Sequence, residues 1–394
     1  MGRQVVPPLL RNALYLMLVT AAALSVPFVG RLGPLPTTVL LDVWVILFVM
    51  ACFSRGRIET TFTLGFLAAY LLTRIIPALY IGAPLEDFFQ AYRWILYLVA
   101  FAIAVGREWG PVRGLVNTMW VLLGLAFFKS ALTFALYGPG ERPGLLLENN
   151  FEIALFCGLV VVLYRFLGRW KLWAVVLMGA IAMLAGSRSG AIAFVVLALF
   201  AVSQAKRANL FLKYLMALAL PVVVFAAVLV FEQRTVTGRS VDRQRFADIF
   251  FAETANWDAF TWLFGTVPIT PLSGGACFQL SYYQLLFSSE GDGSCYAVIL
   301  HAFLMRVVYD AGIVGLLIAF GVTWLMMRRA KVQFAIAASM LLIAITNSFS
   351  VSGLNNPYVA LPILLAIMTT GAVLEEKTPR PHRARGSVRA RARA

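Results

Sequence analysis

The stretch His301-Ala-Phe-Leu-Met-Arg-Val-Val-Tyr-Asp-Ala-Gly-Ile-Val-Gly315 opens an apolar run that is long enough to cross a membrane. Arg306 and Asp310 lie inside this run, where a charged side chain is costly unless it is paired or used. Histidine has an unperturbed pKa near neutrality, so His301 can take up a proton at physiological pH. His301 is therefore predicted to be either an interfacial residue that makes a structural hydrogen bond or a base beside the membrane.

Composition defines the class of protein. Of 394 residues, 61% are hydrophobic and 13% are charged, and the mean hydropathy is +0.84. No water-soluble globular domain sustains this balance, so we predict an all-α polytopic membrane protein. The net charge of +15 would suggest nucleic acid as the partner of a soluble protein. Here the positive-inside rule and a basic tail account for most of it, and no nucleic acid is expected.

Apolar runs between turn residues and charges predict about twelve transmembrane helices. They lie near residues 12–29, 37–53, 62–82, 93–106, 115–137, 149–167, 172–186, 189–204, 211–231, 298–326, 332–350 and 357–373. Most of the 33 basic residues fall in alternate connections, which the positive-inside rule assigns to the cytoplasm. Both termini are therefore predicted inside. The first run is expected to be a retained helix, with a cleaved signal peptide as the alternative.

One connection, at residues 232–297, is much longer than most others, and it carries enough tryptophan, tyrosine and phenylalanine to fold against the membrane. We expect it to be partly helical and to face the periplasm. The domains are residues 1–231 with the earlier helices, 232–297 as the large periplasmic loop, 298–374 with the remaining helices, and 375–394 as a disordered basic cytoplasmic tail. The tail is expected to contact anionic lipids.

Basic residues gather on the side of the membrane where topology disfavours them. The predicted topology places four of them in the outer half of a span, namely Arg74, Arg93, Lys129 and Arg306. Others lie in outer connections, namely Arg188 in Ser187-Arg-Ser-Gly190, Arg243 and Arg245. A charge at such depth costs at least about 3 kcal/mol, so each of the four should face a protein cavity. Any one could pair with an acidic residue such as Asp42 or Asp310. As a group they predict an outward-facing anion site.

An anion site at the outer face beside a histidine predicts recognition of a lipid diphosphate. Arginine suits this role because its planar fork binds phosphate oxygens in pairs and stays charged. If the diphosphate is a leaving group, the same arginines stabilise the developing negative charge without a metal ion or cofactor. Neighbouring cations would favour the neutral form of His301, which can accept a proton. These are the elements of a glycosyl-transfer site.

Three elements in order carry a family resemblance. They are Ser187-Arg-Ser-Gly190 after a short apolar span, an arginine that opens the large loop, and His301…Leu304…Gly312-Ile-Val-Gly-Leu-Leu317. Over residues 140–320 the chain resembles the bacterial O-antigen ligase and O-antigen polymerase superfamily. The resemblance implies a metal-independent, inverting glycosyltransferase of the inner membrane. Such enzymes transfer an undecaprenyl-diphosphate-linked glycan to a sugar hydroxyl at the periplasmic face.

Carried onto this chain, the resemblance implies that His301 is the base and that Arg188 is the arginine of the Ser-Arg element. The loop arginine is Arg243 or Arg245, with Arg245 favoured as the catalytic one. Further contacts to the diphosphate or glycan are expected from Arg243, Arg306, Arg74, Arg93, Lys129, Arg142 and Asn149. The implied partners are the lipid-linked donor, a glycan or lipid A core acceptor, and chain-length regulator proteins.

Three functions compete on the sequence alone. A polymerase of repeat units for a surface polysaccharide must admit two lipid-linked glycans. The outer cations form two sets by sequence, one around the histidine (Arg188, Arg243, Arg245 and Arg306) and one from earlier spans (Arg74, Arg93 and Lys129). Two sets favour this function over an O-antigen ligase. A flippase of the same lipids would also need cations, but it would have no use for a base at His301. It would more often show internal repeats, and we find none.

The four cysteines divide into two pairs by position. Cys52 and Cys157 lie in spans and are expected to be packing residues. Cys277 and Cys295 lie in the large loop. Because that loop is predicted to be periplasmic, we expect these two residues to form a disulfide.

Overall fold

The structure, a computed structural model, describes residues 4–53, 59–138, 141, 143–204, 242–372 and 374. Within this part of the chain the fold is almost entirely helical. Its one sheet is a two-residue parallel pairing between Gln4–Val5 (β1) and Arg107–Glu108 (β2). The predicted span at 211–231, Arg142 and the tail at 375–394 lie outside the described residues.

The α-helices come in two groups separated by a loop region. The first group is α1 (Pro8–Ser25), α2 (Thr37–Phe53), α3 (Thr61–Tyr80), α4 (Leu85–Ala104), α5 (Arg113–Tyr137), α6 (Asn149–Leu163), α7 (Lys171–Ala185) and α8 (Arg188–Gln204). The loop region carries α9 (Asp242–Thr254), α10 (Ala259–Phe264) and α11 (Gly274–Gln279). The last group is α12 (Phe303–Arg329), α13 (Phe334–Ser348) and α14 (Pro357–Met368). Short 3-10 turns occur at Tyr164–Phe166, Gly168–Trp170, Ser281–Leu286, Ala297–Leu300 and Gly353–Asn355.

Six helical segments of the described chain are long and apolar enough to cross a membrane, judged by length and composition. They are α1, α3, α5, α12, the segment Asn149–Phe166 and the segment Gly168–Ala185. Shorter apolar helices lie at Thr37–Phe53, Ser189–Gln204, Phe334–Ser348 and Pro357–Met368. The chain is thus an α-helical protein whose helices suit a membrane. The count of about twelve spans and the orientation of the termini stay predictions.

Helices α6 and α14 form the centre of the bundle, since nearly every residue in both is buried. A Cβ added to Gly158 of α6 would lie 2.6 Å from Cβ of Pro362 in α14, so the glycine allows the two helices to approach closely. By contrast, only 17% of the 18-residue apolar stretch of α3 is buried within the protein. Helices of this second kind are suited to face lipid.

Two predicted boundaries are wrong. Helix α4 begins at Leu85, well before the predicted start at residue 93, because Glu86 and Asp87 occupy its first turn. Acidic side chains are favourable there, since they complement the positive end of the helix dipole. At the other end of the large loop, α12 begins at Phe303 and the loop continues through the turn Ala297–Leu300. The loop therefore extends beyond the predicted boundary at residue 297.

Helix α12 is kinked at Gly312, which has φ +67° and ψ −173°. Helix α10 of the large loop packs against this kink. A Cβ on Gly312 would lie 2.2 Å from the carbonyl oxygen of Leu263, and one on Gly265 would lie 2.5 Å from the backbone nitrogen of Ala311. The backbone N–H of Thr266 also donates to the carbonyl of Tyr309 at 2.8 Å. Two glycines thus permit backbone-to-backbone contact between the loop and α12.

The large loop has an apolar core of its own. This core is formed by buried residues of the loop and of α12, including Phe246, Phe250, Leu280, Leu300 and Tyr309. Cys277 and Cys295 are joined in a disulfide, with their Cα atoms 5.6 Å apart, in agreement with the prediction from sequence. The loop is therefore a packed unit that rests on the N-terminal part of α12.

Candidate functional site

His301 lies in the two-residue joint between the turn Ala297–Leu300 and α12. Its backbone has φ +56° and ψ −35°, a region that costs on the order of 1–3 kcal/mol for a residue other than glycine. The backbone N–H of Ala302 donates to the carbonyl of Leu300 at 2.6 Å, and that of Phe303 donates to Val351 at 3.0 Å. The surrounding structure thus holds the joint in this conformation.

The imidazole of His301 is half-buried between two aromatic rings. The ring of Phe246 lies 5.4 Å away, centroid to centroid, and that of Tyr283 lies 6.0 Å away. Phe246 belongs to α9 and is 4% exposed, so α9 is packed against the histidine. Arg245, the preceding residue of α9, is exposed. The side chains of Arg243 and Arg188 lie outside the description.

Arg306 is buried in α12, one turn after the joint, with 5% of its surface exposed. Its Nη1 donates to Oγ of Ser352 at 3.2 Å and its Nη2 donates to the carbonyl of Gln90 at 3.4 Å. The side-chain amide of Asn355 donates to the same carbonyl at 2.7 Å. Arg306 Nε has no hydrogen-bond partner in the part of the chain that the structure describes. The guanidinium therefore joins α12 to α4 and to the α13–α14 connection. Its Nε–H is a donor that these contacts do not use.

Arg74 joins the loop to the kink of α12. Its Nη1 donates to the carbonyl of Phe264 at 3.1 Å and to that of Asp310 at 3.4 Å. The hydroxyl of Tyr92 donates to the same Asp310 carbonyl at 2.9 Å. Asp310 itself accepts the N–H of Ile269 and interacts electrostatically with both Arg306 and Arg74. Arg74 and Arg306 thus lie in one neighbourhood, although their positions in the sequence put them in different sets.

Arg93 and Lys129 are occupied by internal contacts. Arg93 forms an ion pair with Asp42 at 3.4 Å, and Asp42 also accepts the hydroxyl of Tyr97. Lys129 is 1% exposed, and an ammonium group has three donors. All three are used, on Oγ of Ser25 at 2.6 Å and on the carbonyls of Gly144 and Arg31 at 2.7 and 2.9 Å. Lys129 therefore holds the turns at Arg31 and Gly144 together. Its contact with substrate stays a prediction to which these internal contacts lend no support.

The Ser-Arg element opens α8, where its two serines bind Asn150. The hydroxyls of Ser187 and Ser189 both donate to Oδ1 of Asn150, at 2.5 and 3.0 Å. The side-chain amide of Asn149, which precedes Asn150 in α6, donates to the carbonyl of Ala185 at 3.0 Å. The Oδ1 atoms of Asn149 and Asn347 are buried and have no hydrogen-bond partner among the described residues, and an unsatisfied buried acceptor costs about 1–3 kcal/mol. Such atoms favour the presence of a polar ligand or water.

A chain of hydrogen bonds links the Ser-Arg element to the histidine joint. The backbone carbonyl of Val351 accepts the N–H of Phe303, and the N–H of Val351 donates to the carbonyl of Asn347 at 2.9 Å. The side-chain amide of Asn347 then donates to the backbone carbonyl of Asn150 at 3.2 Å. Both predicted motifs therefore lie at the same end of the bundle.

The sequence interpretation missed the connection Asn347-Ser-Phe-Ser-Val-Ser-Gly-Leu-Asn-Asn356. This segment supplies Ser352 to Arg306 and Asn347 to Asn150. The sequence does carry a signal for this segment, because serine and asparagine are frequent in it although it lies between two apolar helices. Amide groups close to a membrane span are costly when they are unpaired.

Comparison of the chain with protein-family models, curated proteins and solved structures gives no match. The fold defines the class, an α-helical protein with apolar helices that suit a membrane. The family resemblance rests on the residue pattern.

Proposed function

We propose that the chain is a metal-independent, inverting glycosyltransferase that uses an undecaprenyl-diphosphate-linked glycan as donor. The observation that supports this most is the link between the histidine joint and the Ser-Arg element through Val351 and Asn347. A candidate base and a candidate diphosphate arginine thus lie at one end of the bundle, though they are far apart in sequence. In this proposal that end faces the periplasm and the protein resides in the bacterial inner membrane.

In the proposed reaction His301 accepts the proton of an acceptor sugar hydroxyl. The hydroxyl oxygen attacks the anomeric carbon from the face opposite the diphosphate, and the bond to the diphosphate breaks with inversion. The diphosphate leaves with the bonding electron pair, and Arg188 and Arg245 stabilise its charge. Phe246 and Tyr283 keep the imidazole in place.

Arg74 and Arg306 contribute to this site indirectly. Both guanidinium groups bind carbonyl oxygens that belong to the loop, to α12 or to α4. In the proposal they fix the loop on α12, and their positive charge adds to the field at the diphosphate.

Polymerisation of repeat units is the first candidate and ligation to lipid A core is the second. The preference for a polymerase relied on two separate sets of outer cations. With Lys129 occupied internally and Arg74 beside Asp310, the structure gives less support to a second set. Weaker support for a second set of cations makes the ligase a stronger alternative than it was on the sequence alone.

The deciding experiment supplies the purified protein with undecaprenyl-diphosphate repeat unit as the only glycan. A ladder of longer lipid-linked chains supports the polymerase. Product that forms only after lipid A core is added supports the ligase. Movement of the lipid across a bilayer without any glycan transfer, undiminished when His301 is replaced, would overturn the enzymatic proposal in favour of a flippase.

A further inference from the structure

A pocket of about 160 Å³ lies at the end of the bundle remote from His301. It is formed by the far ends of α6 and α14 and by the turn between α12 and α13. Its lining consists of Val162, Arg165, Lys331, Val332, Gln333, Ile336, Ala366, Thr369 and Thr370. None of these residues has a part in the proposed glycosyl transfer, so the pocket requires its own explanation.

The pocket is positively charged. Arg165 and Lys331 both line it, and no acidic residue is among the described residues of its wall. Nη2 of Arg165 donates to the carbonyls of Thr369 and Thr370 at the end of α14. A guanidinium group has five N–H donors, so as far as the described residues go these bonds leave Nε and Nη1 for a ligand. The guanidinium also lies 4.5 Å from the ring of Phe166, which fixes its plane.

Lys331 lines the pocket, and its backbone has a conformation that is usually found for glycine. Its φ is +61°, and the turn is closed by the N–H of Lys331 to Arg328 and by that of Val332 to Met327, both at 3.0 Å. Such strain in a residue other than glycine tends to occur at functional positions. Here a glycine would ease the backbone, yet the chain has a long cationic side chain.

We propose that this pocket binds a phosphate group, presented by an anionic phospholipid headgroup or by a free phosphate ion. The planar fork of Arg165 matches two phosphate oxygens, and Lys331 adds a mobile point charge. Val162, Ile336 and Ala366 add apolar surface that suits the glycerol and acyl parts of a lipid. The proposal goes beyond glycosyl transfer and does not depend on it.

The test measures the thermal unfolding of the full chain in neutral detergent micelles. One series adds phosphatidylglycerol, a second adds phosphatidylcholine, and a third adds sodium phosphate against sodium chloride at equal ionic strength. We expect a rise in Tm with phosphatidylglycerol and none with phosphatidylcholine. Arg165→Gln and Lys331→Gly should each lose most of that rise. Because glycine suits the conformation at position 331, the second variant keeps its fold.

The matched control is Arg169→Gln, which removes an arginine that lies 5.3 Å from the ring of Trp170 and does not line the pocket. It should keep the full rise in Tm. A rise with phosphate ion but not with phosphatidylglycerol would assign the phosphate group to the free ion. Equal rises with the two lipids and none with phosphate, or equal losses in all three variants, would overturn the proposal. Glycan transfer is not measured, so failure here leaves the proposed enzyme untouched.

Discussion

The side-chain amide of Asn347 donates a 3.2 Å hydrogen bond to the backbone carbonyl of Asn150. Both residues are buried, with exposures of 1% and 9%. The bond fixes the end of α13 against the start of α6, next to the serines that flank Arg188. It is the contact through which the two halves of the candidate site meet.

Asn347→Ala should therefore lower both stability and glycan transfer. The variant leaves the Asn150 carbonyl buried without this donor, and we expect a loss of about 1–3 kcal/mol in the free energy of unfolding. Thermal unfolding and a transfer assay measure the two effects. The control is Thr346→Ala, which removes a half-buried residue whose hydroxyl donates to the carbonyls of Leu342 and Ile343 in its own helix. Equal behaviour of the two variants would contradict the role given to Asn347.

His301 is best tested with asparagine. Alanine at this position would remove the base and also strain the backbone, which has φ +56°. Asparagine tolerates positive φ better than most residues, so His301→Asn should keep stability while it removes the proton acceptor. We expect transfer to fall by at least about 100-fold, within the range for loss of a general base. Transfer near the wild-type level in His301→Asn would exclude His301 as the base.

Arg245→Ala should lower transfer and weaken donor binding, because the exposed guanidinium beside Phe246 is expected to hold the diphosphate. Arg245→Lys should recover only part of the loss, since an ammonium group cannot form the paired bonds of the fork. The neighbouring exposed residue provides the control, and Gln244→Ala should be neutral. The same Ala and Lys variants at Arg188 should follow the same order. Full recovery with lysine would show that charge alone suffices.

Gly312→Ala should detach the large loop from α12. The added Cβ would lie 2.2 Å from the Leu263 carbonyl, and positive φ disfavours alanine by roughly 1–2 kcal/mol in addition. We expect faster proteolysis within residues 242–302 and a lower Tm. Gly321→Ala, in the same helix with nothing within 4 Å of the added atom, should show neither effect. Unchanged proteolysis in Gly312→Ala would contradict the docked loop.

The disulfide between Cys277 and Cys295 can be tested directly by mass spectrometry without reduction. On the chain-entropy model, closing a short loop of this kind stabilises the folded state by roughly 3 kcal/mol. The double variant Cys277→Ser/Cys295→Ser should lose about that amount. Free alkylation of both thiols in the folded protein would rule the bond out.

The helices were predictable where apolar length alone determines them. The span at 37–53 coincides with α2, and most other described helices differ from their predicted ranges by a few residues. Helix α4 was misplaced because Glu86 and Asp87 were read as a connection. Asp87 is in fact buried, and it accepts hydrogen bonds from Ser288 and Ser289 of the loop. A composition pattern does not reveal such a distant partner.

The candidate site was predictable in its motifs and not in its contacts. His301 and the Ser-Arg element were identified from residue type and order, and the structure brings them to one end of the bundle. Depth in a span shows only that the charge of Lys129 needs partners, and it does not identify those partners. Which carbonyls supply them depends on how the turns at Arg31 and Gly144 fold. That information is held in the tertiary structure.

The contact between Gly265 and the kink at Gly312 also sets an order of events during biosynthesis. The ribosome completes the loop residues before it makes α12, so α10 leaves the ribosome before its partner surface exists. The disulfide needs only Cys277 and Cys295, which are 18 residues apart and both precede α12. Local closure of the loop can therefore occur early, whereas placement of the loop on the bundle must wait until α12 enters the membrane. His301, in the joint that precedes α12, reaches its final surroundings only at that last stage of assembly.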